Sequence, residues 1–292
     1  MALVAFDLDN TLGSFDPIGP WANFFSVETL ENGENKMVLS DPLKNKIRDA
    51  ETMFIEKVKA CPELFDRMFR PNLDVLIAPI VKAKKSGKVR AVCMYSNTFS
   101  TFTMYFAKRI IEERYSCPNL FDCLVDSTHP IRKYDWDQNK DSNTQPLKTF
   151  VGLKRIFKNL CGVKDPIYPD RILFVDDRSV KHHLEEQEKD GLTYLQLNSY
   201  VPEFSRDLRG LAYLMGLQTL LESGLTNYPP YLKSEVCAHS SDGGFFKLLK
   251  LTEEAILKPF FPAQEFREDT KRIRQIVTMF LSRFSKVGRG RP

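Results

Sequence analysis

The chain opens on an unbroken apolar run, Ala2-Leu3-Val4-Ala5-Phe6, which gives way at once to Asp7-Leu8-Asp9. A short continuous run of this kind predicts a strand buried on both faces, as in parallel sheets, where alternation is lost because neither face meets water. Comparable runs recur at Val89–Tyr95, Leu120–Val125, Arg171–Val175 and Thr193–Leu197. Between them the apolar spacing is helical, over Arg70 to about Lys85 with Gly87 as the stop, Thr101 to Tyr115, Lys148 to Leu160, and Val180 to Lys189. Strands alternating with helices predict an α/β fold, a Rossmann-like parallel sheet with helices on both faces.

Two stretches depart from that rhythm. Residues 13 to 70 form an insertion after the first strand: Gly13, Pro17, Gly19 and Pro20 mark a loop, Trp21, Phe24 and Phe25 an aromatic cluster, and Glu31–Asn35 a polar turn. Within it, Leu43, Ile47, Ala50, Phe54, Ile55 and Val58 recur at helical spacing from Asp41 to about Ala60, with Ser40 or Asp41 as N-cap and Pro62 as the stop. After residue 200 the chain becomes helical, at Leu208–Leu221, Thr252–Leu257 and Asp269–Phe284, interrupted by Pro229-Pro230 and Gly243-Gly244. Residues 286–292 are basic and glycine-rich, the composition of a disordered terminus.

Composition narrows the class. With 292 residues, 42% hydrophobic and 12% aromatic, the chain can bury a sizeable core in one generous domain or two modest ones. A net charge of +4 gives no ground for direct nucleic-acid binding. Six cysteines show neither a C-x-x-C pair nor zinc-like spacing with histidine, so they read as buried free thiols. No stretch reaches the roughly 20 apolar residues of a membrane span, and the first run is too short for a signal peptide. The expectation is an intracellular protein of cytoplasm or nucleus, with no membrane partner.

The chemistry gathers at strand ends. In an open α/β sheet, ligands bind beyond the carboxyl ends of the strands. The first strand ends in Asp7 and Asp9, the second in Ser96 and Asn97, and the fourth in Asp176 and Asp177. Carboxylates at i and i+2 on one strand point the same way. One would attack phosphorus, the other would carry a proton, and together they suit a hard divalent cation such as Mg2+. A lysine must offset this charge, and Lys133, Lys148 and Lys154 are available. Lys148 stands where a helix start reaches the strand ends, so the choice falls on it. His182 and His183, adjacent on a helix, cannot share one face and read as solvated surface.

The segment Asp7-Leu8-Asp9-Asn10-Thr11-Leu12, with the strand-ending Ser96 and the Asp176-Asp177 pair, resembles the haloacid-dehalogenase-like superfamily. The resemblance implies a phosphatase with Asp7 as nucleophile and Asp9 as general acid and base. It further implies Mg2+ on Asp7, on the backbone carbonyl of Asp9 and on one of Asp176 or Asp177, the preference falling on Asp177 as the direct ligand with Asp176 positioning Lys148. Ser96 would bind a phosphoryl oxygen through its hydroxyl and its backbone N–H, with Asn97 and Thr11 also in the substrate site.

Within that superfamily, Arg70-Pro71-x-Leu73-Asp74 with Leu76, Tyr95-Ser96-Asn97-Thr98, Leu120-Phe121-Asp122 and Lys148-Thr149-Phe150 resemble the branch that dephosphorylates the RNA polymerase II C-terminal domain, the NLI-interacting-factor-like proteins. The substrate implied is a protein phosphoserine or phosphothreonine. Asn10 and Asp176-Asp177-Arg178 depart from that branch, and Asn97 and the double aspartate are closer to small-molecule phosphatases, so a nucleotide or sugar phosphatase is an alternative, and a non-catalytic scaffold another. On this reading residues 1–12 and 69–200 form the catalytic core, 13–68 a flap or cap, 201–285 a helical extension and 286–292 the tail.

Overall fold

A computed structural model describes residues 1–15, 17–22, 25–32, 38–98, 101–138, 146–178, 191–202, 206–227 and 269–284. Its elements are β1 (Ala2–Phe6), α1 (Gly19–Ala22), α2 (Val27–Asn32), α3 (Asp41–Lys59), α4 (Pro62–Met68), α5 (Leu73–Lys85), β2 (Val89–Tyr95) and α6 (Thr101–Arg114), then β3 (Cys123–Val125), α7 (Lys133–Gln138), α8 (Phe150–Asn159), β4 (Ile172–Asp176), β5 (Thr193–Gln196), α9 (Arg206–Glu222) and α10 (Thr270–Ser282). They fall into two compact units. The first comprises Met1–Ser14, Phe69–Val201 and Glu265–Pro292, the second Phe15–Met68 and Pro202–Gln264.

The first unit is the expected α/β fold. Its five strands run parallel in the order β3-β2-β1-β4-β5. Every residue of β1 is buried, as the unbroken apolar run requires of a central strand. Leu3 and Ala5 join Ala91, Cys93, Tyr95, Ile172 and Phe174 in a core closed by Leu153, Ile156 and Phe157 of α8. Helix α5 packs against β2, α6 against β3, and α10 against α5 and β5. The chain steps outward from β1 to β2 and β3, then returns to the far side of β1 for β4 and β5. That reversal puts the topological switch between β1 and β4, where the strand ends splay and a site forms.

The second unit is helical in its described residues. The apolar positions read from the sequence of α3, Leu43, Ile47, Ala50, Phe54, Ile55 and Val58, are its buried face, which packs on α9. Trp21 is fully buried, stacked on Phe25 with ring centroids 5.8 Å apart and edge-on to Tyr213 of α9. The close approach of the indole depends on Gly216, where a Cβ would lie 2.0 Å from Trp21 Cε2.

Three local readings change. Pro62 does end α3, but it also opens α4, because a proline at a first helical position loses only an N–H that would have no partner there. Glu31, placed in a turn by its polar neighbours, lies in α2. The segment 127–146, whose polarity predicts a loop, contains a 3-10 turn at Pro130–Arg132 and then α7; the turn is capped by the His129 ring, whose Nδ1 accepts from the Ile131 N–H at 3.2 Å. The segment expected as one C-terminal extension is shared out, α9 going with the insertion and α10 with the sheet. Among the described residues no helix is long and apolar enough to cross a membrane. The expected helix at Val180–Lys189 with His182 and His183, Phe24, Pro229-Pro230, Gly243-Gly244, the helix at Thr252–Leu257 and the tail 286–292 lie outside the described residues.

Candidate active site

The site is built where β1, β2 and β4 end. Asp7 is the first residue beyond β1, and its N–H still donates to Val175 O of β4 at 2.9 Å, so the sheet itself fixes its backbone. The chain then turns tightly. Leu8 O accepts from Thr11, Leu12 and Gly13, and Asn10 takes a left-handed backbone at φ 61°. Asparagine tolerates that region better than most residues. The strand-alternation argument therefore does not extend to Asp9, which lies in the turn, bridged to Gly13.

Asp176 ends β4 and is fully buried. Asp177 follows it and is partly exposed. Lys148 arrives from the opposite side, just before Thr149, the N-cap of α8, whose hydroxyl accepts from Gly152 N–H. Its Nζ lies 2.5 Å from Asp7 Oδ1 and 2.7 Å from Asp176 Oδ2, with 2% of the side chain exposed. Of the three lysines weighed from the sequence, the fold brings this one to the aspartates. Lys133 is exposed on α7, and Lys154 lies over the Phe150 ring at 5.4 Å.

The electrostatics are unbalanced. Among the described residues, Asp7, Asp176 and Asp177 offer carboxylate oxygens within 4.8 Å of one another, facing the ammonium of Lys148. Burial pushes the Asp7 carboxyl above its ordinary range; Lys148 opposes the shift and Asp176 adds to it. Burial and then the charge of Asp7 push Asp177 in the same direction. Burial also works against charge on Lys148, but Asp176 and Asp7 outweigh it and hold the ammonium above its ordinary value. An all-oxygen set short of positive charge suits a hard divalent cation.

Ser96 Oγ accepts from the Thr98 N–H at 3.2 Å and keeps its own proton to donate. The backbone half of its expected role does not hold, because the Ser96 N–H is spent on Val125 O at 3.0 Å, continuing the β2–β3 ladder. Thr11 and Asn97, both expected to meet substrate, have partners within the protein. The Thr11 hydroxyl sits between Asp7 Oδ2 and Asp177 Oδ1, 3.3 Å from each. Asn97 donates to Pro146 O at 3.1 Å and accepts from Arg132 at 2.8 Å.

Sequence reasoning gave no role to the residues beneath the site, although Arg70 opens the Arg70-Pro71-x-Leu73-Asp74 motif. Arg70, on the chain's return from the insertion, donates from Nε to Thr11 O and from Nη2 to Asn10 O and Asn198 O, pinning the turn after β1. Arg132 and Asp135 form a fully buried ion pair at 2.7 Å. Asp135 also accepts from Tyr95 Oη at 2.5 Å and from Thr149 Oγ1 at 2.8 Å. Gly152 leaves room for this cluster, since a Cβ there would lie 2.6 Å from both Asp135 Oδ1 and Tyr95 Oη. The one local signal was the i, i+3 spacing of Arg132 and Asp135 behind Pro130, a helical pair inside what otherwise reads as loop.

No protein-family model matches the chain, and no curated protein matches it either. Fold and site define an α/β protein with a lysine-bridged cluster of carboxylates at its topological switch.

Proposed function

We propose that the chain is a Mg2+-dependent phosphatase of haloacid-dehalogenase-like type, hydrolysing phosphate monoesters through an aspartyl-phosphate on Asp7, with phosphoserine or phosphothreonine in proteins as substrate. The observation that carries this reading is the buried Lys148 ammonium held between Asp7 and Asp176, with Asp177 completing an oxygen-rich cluster at the strand ends. Asp7, Asp177 and the backbone carbonyl of Asp9 would hold the cation. Bound there, Mg2+ offsets the charge that phosphoryl oxygens bring against the Asp7 carboxylate.

The chain's own residues supply the rest. A carboxylate is a weak base but an able nucleophile when pressed in line against phosphorus at short range. Lys148 opposes the effect of burial on Asp7 and would face the incoming phosphoryl oxygens. The Ser96 hydroxyl donates to one of them. Asp7 attacks phosphorus, the ester oxygen leaves, and Asp9, half-buried on the turn, gives it a proton. Asp9, now ionised, takes a proton from water, which attacks the aspartyl-phosphate and releases phosphate and free Asp7.

The test is phosphate release by the wild type and Asp7→Asn, with Mg2+ and with EDTA, on phosphopeptide and phosphometabolite panels. The reading expects release from phosphopeptides that falls to background in Asp7→Asn and in EDTA. Preference for phosphometabolites would transfer the chain to small-molecule phosphatases. No Asp7-dependent release on either panel would leave a non-catalytic scaffold.

A further inference from the structure

We propose that Arg132, held by Asp135, is the positioning residue that sets Ser96 and Lys148 in register with each other; this rests on the phosphatase reading for its consequence in catalysis. Ser96 and Lys148 come from segments far apart in the chain, one ending β2 and one preceding α8. Their tips must meet one phosphoryl group, so something must fix the spacing between the two backbones.

Arg132 does this through its planar fork. Nη1 donates to Ser96 O at 2.8 Å and to Asp126 O at 3.5 Å, while Nη2 donates to Asn97 Oδ1 at 2.8 Å and to Leu147 O at 3.0 Å. Nε donates to Asp135 Oδ2 at 2.7 Å, and the guanidinium lies over the Tyr95 ring, 4.4 Å from its centroid. All five N–H groups of the guanidinium are thereby directed. Asp135 completes the link from the other side. Its carboxylate accepts from Thr149, and its backbone carbonyl accepts from Leu147 N–H at 3.3 Å. The residues on both sides of Lys148 are thus tied to the pair that also grips the carbonyl of Ser96. Arg132 is fully buried and touches no solvent that a surface arginine would serve. A lysine in its place would keep the charge but lose the fork, and with it the simultaneous hold on two segments.

The test uses the full chain. Arg132→Lys is expected to lower kcat about 10- to 100-fold, the effect of misplacing reacting groups by a fraction of an ångström to an ångström, with KM little changed. Because part of its effect runs through Ser96 and part through Lys148, the double variant Arg132→Lys with Ser96→Ala should lose less than the product of the two single losses. Tyr95→Phe removes one hydrogen bond to Asp135 without changing charge and should give a smaller fall of the same kind; it stands in if Arg132→Lys fails to fold. A readout independent of turnover is the slowly exchanging 15Nζ resonance of Lys148, assigned by its loss in Lys148→Met, which should shift or broaden in Arg132→Lys or Tyr95→Phe. A folded variant with wild-type kcat and an unmoved Lys148 resonance overturns the proposal, as do losses that multiply in the double variant. If the wild type releases no phosphate while the resonance still moves, the phosphatase reading fails and the positioning of Lys148 stands.

Discussion

Lys148 Nζ and Asp7 Oδ1 lie 2.5 Å apart inside the protein, although 141 positions separate the two residues in the chain, and burial alone would favour neutral forms of both. Their contact, shared with Asp176, holds the ammonium above its ordinary pKa and opposes the upward push that burial gives Asp7. Removing the ammonium strands buried carboxylates. Lys148→Met is therefore expected to destabilise the chain by about 3–5 kcal/mol, the range for breaking one side of a buried ion pair. Adding Asp176→Asn should restore part of that loss. Urea unfolding of the single and double variants checks both statements.

A cation that binds the folded chain and not the unfolded one raises its melting temperature by mass action. Mg2+ is expected to raise Tm, EDTA to return it, and a concentration about 100 times Kd to contribute about 2.7 kcal/mol. Asp177→Asn, which takes a negative charge and one carboxylate oxygen from the cluster, should shrink that rise. Scanning calorimetry across a Mg2+ series gives the answer; an Asp177→Asn chain with the full rise would exclude Asp177 from the cation site.

Gly216 and Trp21 touch so closely that no Cβ fits between them. Gly216→Ala should cost about 1–3 kcal/mol, the usual range for forcing atoms into a packed core. The helical preference of alanine works in the opposite direction by less than that, about 1 kcal/mol. Trp21 fluorescence during denaturant unfolding, read in a Trp136→Phe background so that only this tryptophan emits, reports on this unit; an unchanged or raised midpoint would contradict the contact.

His129 accepts the Ile131 N–H on its ring, and partial burial, opposed by Asp126 and aided by Arg132, lowers its pKa below the ordinary histidine value. The unfolded chain thus takes up a proton at a pH where the folded chain does not. Stability should fall as pH drops through the ordinary histidine range toward the lowered folded value, and be unaffected by this group above that range. His129→Asn, which can still cap the turn, should remove this part of the acid sensitivity. Thermal melts of both chains from pH 5 to 8 test the sign.

Much of the first unit was legible because its signals are local. The run Ala2–Phe6 and the strand Val89–Tyr95 carry burial on both faces in their own composition, and both strands stand where the runs lie. The face of α3 was equally plain, since a 3.6-residue period needs no partner to be seen. The aspartates that end β1 and β4 could be singled out because polar residues closing apolar runs mark the open end of a parallel sheet.

What the sequence could not supply is everything that depends on which segments become neighbours. It offered three lysines, and only the path of α8 across the sheet decided that Lys148 meets Asp7 and Asp176. It offered a Ser96 N–H, and only the β2–β3 ladder consumed it. Arg132 and Asp135 sat in a segment whose polarity reads as exposure, yet both are fully buried. Pattern reading equates polar with solvated, because a lone charge is costly to bury; tertiary packing removes that cost by bringing Tyr95, Thr149 and the carbonyls of Ser96 and Leu147 to the pair. The sequence determined the sheet strands, the helices with a clear apolar period and the residue types at the strand ends. The tertiary structure decided their partners, because hydrogen bonds and ion pairs are short-range and the chain alone does not state its distances.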